Sequence, residues 1–357
     1  MKTKTESGLQ GWARSIVYMK PLPKALVLTG LAALLLILPL VVTQNYIIHI
    51  VINCFIYITL SLSLNLIIGW SGQFSLGHVA FYGMGAYFTA LLMLRGGIDF
   101  WLSSLISAVA VGIISWILCR PTLKLRGDYL AVVTLGIGEV FRLVCNNWTD
   151  VTRGSRGLPN IPSPTLFGFT FSSKTSFYYL GLFMFLAALV FISRLNTSGY
   201  GLALKTIRED DVAAASIGIY PVKFKLSSFV TGCVIASFVG SFYAVYLGFI
   251  SPSSFEFTES MSMMAMVVLG GIGSIPGVII GSTVLTALPE LLRSLSEYRL
   301  VIYGALMVLM MIFRPGGIWG SKMRMLNIYK VKAEGGGFRR KKKEASAAAN
   351  AEVEQNG

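Results

Sequence analysis

The chain has 357 residues, of which 54% are hydrophobic and only 13% are charged, and its formal net charge is +14. A soluble domain of this length has about a quarter of its residues charged, so the composition excludes an ordinary soluble protein and indicates an integral membrane protein. The basic residues stand mainly at the ends of apolar segments and in a run near the C-terminus, which is typical of membrane topology and argues against nucleic acid as a partner.

The N-terminal segment Met1–Lys24 is polar and basic, and basic residues flanking a first span favour the cytoplasmic side. The first predicted span, Ala25–Val42, therefore runs outward. It is long and rich in leucine, and no convincing cleavage site of small residues follows it, so we expect no cleavable signal peptide.

Six further apolar runs have about the length that a helix needs to cross a bilayer, which is about 20 residues. These predicted spans are Tyr46–Gly69, Val79–Leu94, Phe100–Cys119, Tyr129–Cys145, Phe177–Ile192 and Leu226–Phe249. If each run crosses once, the basic residues around Arg120 and Arg194 lie inside. The loop Asn146–Thr175, which is rich in Gly, Pro and Ser, lies outside.

The last apolar runs, Met261–Leu288 and Leu300–Phe313, would leave the basic cluster Arg339–Lys343 outside if each crossed once. The stretch Gly270–Gly277 is poor in helix formers, so a broken or re-entrant hairpin there would restore a cytoplasmic C-terminus. The sequence thus predicts an all-α polytopic membrane protein with eight spans plus a hairpin, or with ten spans. Residues 25–320 form the membrane domain. Residues 321–357 form a basic cytoplasmic tail that we expect to be disordered.

The segment Arg194–Lys225 is the longest strongly charged interruption between apolar runs. It predicts one short helix over Gly201–Arg208 and a second over Val212–Ile217, with N-cap candidates in Glu209–Asp211. Gly218 can end the second helix in a left-handed cap, and Pro221 prevents its continuation. Such a helix pair suits a groove on a soluble partner, whereas the alternative is a solvated loop between two spans.

The stretch Gly69–His78 interrupts two apolar runs with glycines, hydroxyl groups, an amide and an imidazole. Irregular backbone at membrane depth is stable only against protein or water, so this stretch is a candidate for the translocation pathway. Its small residues also permit close helix packing, and packing alone is the alternative interpretation. The candidate pathway residues are Gly72, Gln73, Ser75, Gly77, His78, Glu139 and Arg142.

Glu139 and Arg142 belong to that set because ionisable groups at membrane depth usually face the interior of a bundle. Three residues apart on a helix, they can also form a structural ion pair, which is the favoured interpretation. His49 and His78 are isolated and the cysteines show no paired spacing, so neither a metal site nor a disulfide is expected. No phosphate-binding loop and no nucleophile elbow occurs, and the chain is therefore expected not to be an enzyme.

Several stretches together resemble the M-type permease subunits of bacterial branched-chain amino-acid ABC importers. The resemblance covers about Tyr57 to Gly320. It rests on SGQFSLGH and GMGAY in the region of Ser71–Tyr87, on LRGDYLAVVTLG followed by GEVFR in Leu125–Arg142, and on IREDDVAA in Ile207–Ala214. The stretches Phe249–Pro252, Val268–Ser274 and Phe313–Gly316 extend it in the same order.

The resemblance implies a multi-pass inner-membrane subunit of an importer for branched-chain or related hydrophobic amino acids. Its implied partners are a second, H-type permease, two cytoplasmic ATPases that bind ATP and Mg²⁺, and an extracytoplasmic binding protein that delivers the substrate. No cofactor is expected on this chain itself. The resemblance assigns ATPase coupling to Arg208, Glu209, Asp210, Asp211, Ala213, Ala214 and Gly218, with Val212 standing where the looser permease motif has an acid.

Three other functions fit parts of the sequence. A urea or short-amide importer has similar permeases. A secondary transporter or channel working alone would also contain broken helices. A structural membrane scaffold would explain the apolar runs, but it would not explain the charged helix pair.

Overall fold

The structure is a computed structural model, and it describes residues 35–39, 44–122, 128–166, 168–291, 301, 304, 308 and 317–319. These residues belong to one compact unit. The predicted N-terminal segment and the basic tail lie outside the described residues, as do most of the first predicted span and most of Leu300–Phe313.

The described part of the chain is almost entirely helical, which confirms the predicted all-α class. Its helices are α1 (Asn45–Asn65, continued by a π-helical turn over Leu66–Trp70), α2 (His78–Gly96), α3 (Phe100–Thr122), α4 (Asp128–Asn147), α5 (Lys174–Thr197), α6 (Gly199–Glu209), α7 (Asp211–Ser216), α8 (Pro221–Leu247), α9 (Phe257–Gly270) and α10 (Ile275–Leu291).

Five of these described helices are long and apolar enough to cross a membrane: α1 with its π-helical turn, α3, α4, α5 and α8. The predicted span Val79–Leu94 corresponds to α2, which is helical but not among the five. Most side chains of α2 are buried on all sides of the helix, including Tyr82, Ala86 and Tyr87. A helix that is covered all round lies in the core of a bundle, and α2 is the central helix here.

Helices α2 and α8 run parallel and in backbone contact. A Cβ atom on Gly85 would lie 2.4 Å from the carbonyl oxygen of Ser237, and one on Gly240 would lie 2.0 Å from the carbonyl oxygen of Tyr82. Both distances are far below van der Waals contact, so only glycine fits at these crossings. One turn after Gly85 along α2, the hydroxyl groups of Thr89 and Ser241 are 2.7 Å apart across the same contact between α2 and α8.

The predicted break in Met261–Leu288 is confirmed. Helix α9 ends at Gly270, and α10 begins at Ile275. Gly271 and Gly273 between them have φ of 112° and 87°, which non-glycine residues rarely adopt. The two helices run antiparallel, because Gly270 meets the backbone of Gly277 on one side and lies against Gly281 one turn later.

Two small strand pairs lie at the end of the bundle opposite to this break. Strand β1 (Leu158–Pro159) pairs antiparallel with β4 (Phe249–Ile250), and β2 (Thr165–Leu166) pairs antiparallel with β3 (Phe169–Thr170). The first pair joins the segment after α4 to the segment after α8.

Candidate coupling and translocation site

The two short helices predicted in Arg194–Lys225 are present, with slightly different bounds. Helix α6 begins at Gly199 rather than Gly201, and α7 covers Asp211–Ser216 rather than Val212–Ile217. The N-cap is Asp210, whose Oδ1 accepts hydrogen bonds from the backbone N–H groups of Val212 at 2.7 Å and Ala213 at 3.0 Å. These two bonds lower the pKa of the Asp210 carboxyl group.

The predicted end of the second helix is also confirmed. Gly218 has φ of 86° and its N–H donates to the carbonyl of Ala215, so it forms a left-handed cap. Pro221 is then the first residue of α8, where a proline is tolerated because its missing N–H would have no partner in the helix. Helices α6 and α7 are therefore a compact unit between α5 and α8.

Arg208, in the last turn of α6, turns its side chain into the membrane domain. Its Nη1 donates a hydrogen bond to the carbonyl oxygen of Gly69, at the end of the α1 segment. The same side chain lies against Gly72, where a Cβ atom would be 3.2 Å from Arg208 Cγ, and against Gly273 of the α9–α10 break. A cation beside the last carbonyl groups of a helix is favoured by the helix dipole.

The C-terminal end of the α1 segment and the α9–α10 break are bonded to each other as well as to Arg208. The N–H of Gly273 donates to Asn65 Oδ1 at 2.7 Å, and Trp70 Nε1 lies 3.4 Å from the carbonyl oxygen of Gly273. We call the set Asn65, Gly69, Trp70, Arg208 and Gly273 the junction. It joins α1, the α9–α10 break and α6 at one point.

Lys205 adds a second contact between α6 and the junction. Its ammonium lies 5.7 Å from the centre of the Trp70 ring and 2.5 Å from Asn196 Oδ1. Burial lowers the pKa of this ammonium group. The side chain therefore lies against the protein rather than extending into solvent.

The outer face of the helix pair carries apolar side chains that sequence reasoning did not select. Leu202, Val212, Ile217 and Tyr220 are each about two thirds or more exposed. The sequence could have indicated these exposed side chains, because apolar residues occur within the charged segment although it lies outside any predicted span. Ala214 is instead fully buried, and Asp211 is paired with Lys225 at 2.6 Å. Of the predicted coupling residues, Glu209, Asp210, Asp211, Ala213 and Gly218 are exposed.

The non-helical stretch between Trp70 and His78 is fixed to two helices, α8 and α4. Gln73 Nε2 donates to the carbonyl oxygen of Lys225 at 3.0 Å, on α8. The N–H of Leu76 donates to Thr134 Oγ1 at 3.0 Å, on α4. A Cβ atom on Gly77 would lie 1.9 Å from the carbonyl oxygen of Thr134, so glycine is required at this approach.

His78 begins α2 inside the fold. Its Nε2 lies 2.8 Å from Ser63 Oγ, and the N–H of the next residue, Val79, donates to Ser260 Oγ in the first turns of α9 at 3.3 Å. Three buried polar atoms in this stretch have no hydrogen-bond partner among the described residues: Gln73 Oε1, Ser75 Oγ and His78 Nδ1. The predicted pathway residues Gln73, Ser75, Gly77 and His78 thus lie together between α1, α4 and α9.

Glu139 and Arg142 form the predicted ion pair. Nε and Nη2 of Arg142 lie 3.0 and 2.8 Å from Glu139 Oε2. The pair lies on α4 close to the residues that pack against Gly77, but its side chains are one third exposed, whereas Gln73, Ser75 and His78 are buried. The structure therefore divides the predicted pathway residues into a buried group, a partly exposed pair and Gly72, which is exposed and lies against Arg208. Within the described residues, no group of three or more His, Cys, Asp or Glu side chains could hold a metal ion.

Residues 46–311 match the family model for the permease component of branched-chain amino acid transport systems. The high-affinity branched-chain amino acid transport system permease protein LivM of Salmonella typhimurium is 39% identical over 307 residues, covering 78% of this chain and 71% of that protein. Escherichia coli LivH is 28% identical over 287 residues, with 74% and 91% covered, and a probable LivM of Methanocaldococcus jannaschii is 25% identical over 317 residues, with 75% and 91% covered. No solved structure matches the chain.

Proposed function

Because the chain belongs to the family of branched-chain amino acid transport permease components, we propose that it is a translocating subunit of an ATP-driven importer for branched-chain amino acids. It works with a homologous H-type permease, two cytoplasmic ATPases and an extracytoplasmic binding protein. ATP and Mg²⁺ bind to the ATPases, and this chain catalyses no reaction. The relatives reported above are named for branched-chain amino acids, which does not favour urea or a short amide as the substrate.

The observation that supports an energy-coupled mechanism is the junction. Helices α6 and α7 stand outside the five candidate spans, and Arg208 links them to the end of α1 and to the α9–α10 break. A displacement of α6 by a partner would therefore act directly on two points where the helical backbone is already interrupted. Such interruptions are where membrane helices bend with least loss of hydrogen bonding.

The apolar outer face of the same helices supports the docking of an ATPase on the cytoplasmic side. Leu202, Val212 and Ile217 are exposed on or directly after these helices and Tyr220 just before α8, and Glu209 is exposed at the end of α6. A patch of apolar side chains with a charge at its rim is typical of a protein interface, in which burial gives affinity and charge sets orientation.

Translocation follows by alternating access. ATP-driven approach of the two ATPases moves α6 and α7, and the attached spans tilt to open the route to one side at a time. The buried polar stretch with Gln73, Ser75 and His78 is the part of the fold that supports a route for a zwitterionic solute, since its polar atoms lie at an interrupted helix. Contacts along this route are weak, because tight binding would slow release.

Reconstitution tests the proposal. The chain is placed in proteoliposomes with its partner permease, both ATPases and the binding protein, and leucine uptake is measured with and without ATP. We expect uptake only with the complete system and ATP. Uptake by this chain alone, or uptake of urea in place of leucine, would overturn the proposal.

The coupling step has its own matched pair of variants. Arg208→Gln removes the charged donor at the junction, and a hydrogen bond to a charged group contributes about 1.5–3 kcal/mol, so we expect uptake to fall by about tenfold or more. Arg120→Gln changes an exposed arginine in the last turn of α3, outside the coupling segment, and should leave uptake unchanged. Equal uptake by the two variants would exclude Arg208 from coupling.

A further inference from the structure

Helix α4 is the least covered of the five candidate spans. Only 22% of its most apolar 18-residue window is buried, compared with 39–67% for the other four. Its inner side packs on α2 and carries Leu130, Thr134 and Cys145. Its outer side has no covering helix among the described residues.

This outer side carries a charged pair at membrane depth. Glu139 and Arg142 lie about 17 and 21 Å along the helix from Asp128, where a bilayer core is about 30 Å thick. Their side chains are 33% and 34% exposed. Ionisable groups in a membrane face protein or water rather than acyl chains, so lipid is a poor occupant for this side of the helix.

The same side permits a close approach of another helix. A Cβ atom on Gly136 would meet nothing within 4 Å in the described part of the chain. Val132, Val140 and Leu143, at helical spacing around Gly136 and Glu139, are each half exposed or more. A small residue flanked by aliphatic side chains is typical of helix contacts in membranes, where van der Waals packing drives association.

We propose that this surface, formed by Val132, Gly136, Glu139, Val140 and Leu143, binds the second, homologous permease subunit. The inference rests on the proposed function. Escherichia coli has both a LivM and a LivH permease protein of the branched-chain amino acid transport system, and each matches about three quarters of this chain or more. Two homologous chains can meet through corresponding surfaces about a pseudo-two-fold axis, so the occupant is a related membrane helix.

The ion pair of Glu139 and Arg142 also defines the chemistry of the partner helix that packs against α4. Glu139 and Arg142 neutralise each other, so an opposing charge would be left unpaired at membrane depth. The opposing helix therefore presents hydroxyl or amide side chains at the level of the pair and small or aliphatic side chains near Gly136. A lone partner carboxylate or ammonium is excluded.

Photo-crosslinking tests the surface directly. Benzoylphenylalanine is placed at Val140, or at Phe183 on the exposed side of α5 as the control, in cells that express the complete transporter. We expect Val140 to give an adduct that mass spectrometry identifies as the homologous permease, in clear excess over any adduct at Phe183. An adduct with a second copy of this chain, or no excess over Phe183, would overturn the inference.

A substitution gives a second readout. Gly136→Leu fills the open space with a branched side chain, and overpacking of this kind should lower co-purification of the partner permease by about tenfold. The variant itself should remain monodisperse, because no atom of the described residues lies within 4 Å of the added Cβ. Unchanged co-purification would contradict the inference. Failure of leucine uptake in a complex that still crosslinks at Val140 would instead count against the proposed function alone.

Discussion

Asp211 Oδ2 and Lys225 Nζ are 2.6 Å apart and join the first turn of α7 to the first turns of α8. Asp211, which the resemblance assigns to ATPase coupling, is thus already paired within the chain. Asp211 is half exposed, and exposed ion pairs contribute about 0.2–1 kcal/mol. The pair orients α7 more than it stabilises the fold.

We predict that the charge swap Asp211→Lys with Lys225→Asp restores coupled transport. Either reversal alone should weaken coupling through repulsion between α7 and α8, with a change in unfolding free energy below about 1 kcal/mol. Leucine-stimulated ATP hydrolysis in proteoliposomes measures the effect. If the double variant is as defective as Asp211→Lys alone, the relevant partner of Asp211 is the ATPase and not Lys225.

Glu209 should behave differently, because its side chain is exposed on the same helix pair. We predict that Glu209→Lys weakens co-purification of the ATPases and that the loss shrinks as salt is raised, since charges at the rim of an interface are screened. Insertion into the membrane should be unchanged. Full association at low salt would show that Glu209 is not at this interface.

The Asp210 cap predicts a dependence on acid. Because the folded-state pKa is lowered below the ordinary value of 3.8, the cap stabilises α7 above that value and is lost as the pH falls through the folded-state pKa. Hydrogen exchange at the amides of Val212 and Ala213 should show this loss of protection. Asp210→Asn retains a neutral cap and should show no loss of protection as the pH falls. The same loss in that variant would mean that another group, not Asp210, titrates.

The ion pair on α4 predicts a non-additive double mutant. An unpaired charge at membrane depth costs about 2.5–3.5 kcal/mol, so Glu139→Gln and Arg142→Gln should each lower the yield of assembled protein. The double variant Glu139→Gln with Arg142→Gln leaves no charge and should recover part of that yield. Fluorescence-detected size-exclusion chromatography measures it, and additive losses would argue for separate contacts with the solute.

Topology can be tested by labelling. We predict that both termini are cytoplasmic, so a cysteine at Ser346 should react with a membrane-impermeant maleimide only after the cells are opened. The native cysteines Cys54, Cys119, Cys145 and Cys233 are all buried, which keeps the background low. Labelling of intact cells at position 346 would place the tail outside.

The sequence predicted local features whose causes are local. The N-cap within Glu209–Asp211, the left-handed Gly218 and the break near Gly270–Gly277 depend on residues close in the chain, and all three are present in the structure. The pairing of Glu139 with Arg142 was predictable for the same reason, since three residues along a helix bring the side chains together.

Contacts between distant segments were not predictable in this way. Nothing local to Arg208 indicates that its guanidinium reaches Gly69, which is 139 residues away, or that Asn65 bonds to Gly273 across 208 residues. The exposed apolar face around Val212 was missed because a charged segment was interpreted through its charges. The burial of His78 depends on how α1 and α9 meet around it, which a single sequence without an alignment does not specify.

The glycine contacts between α2 and α8 limit how the protein can move. With backbone against backbone at Gly85 and Gly240, neither helix can rotate about its axis or slide along the other without a collision of main-chain atoms. Helices α2 and α8 therefore move together as one rigid body. Since α8 follows directly from the α6–α7 unit, a displacement of that unit moves α8 and α2 together, relative to α1 and α3, which pack against them.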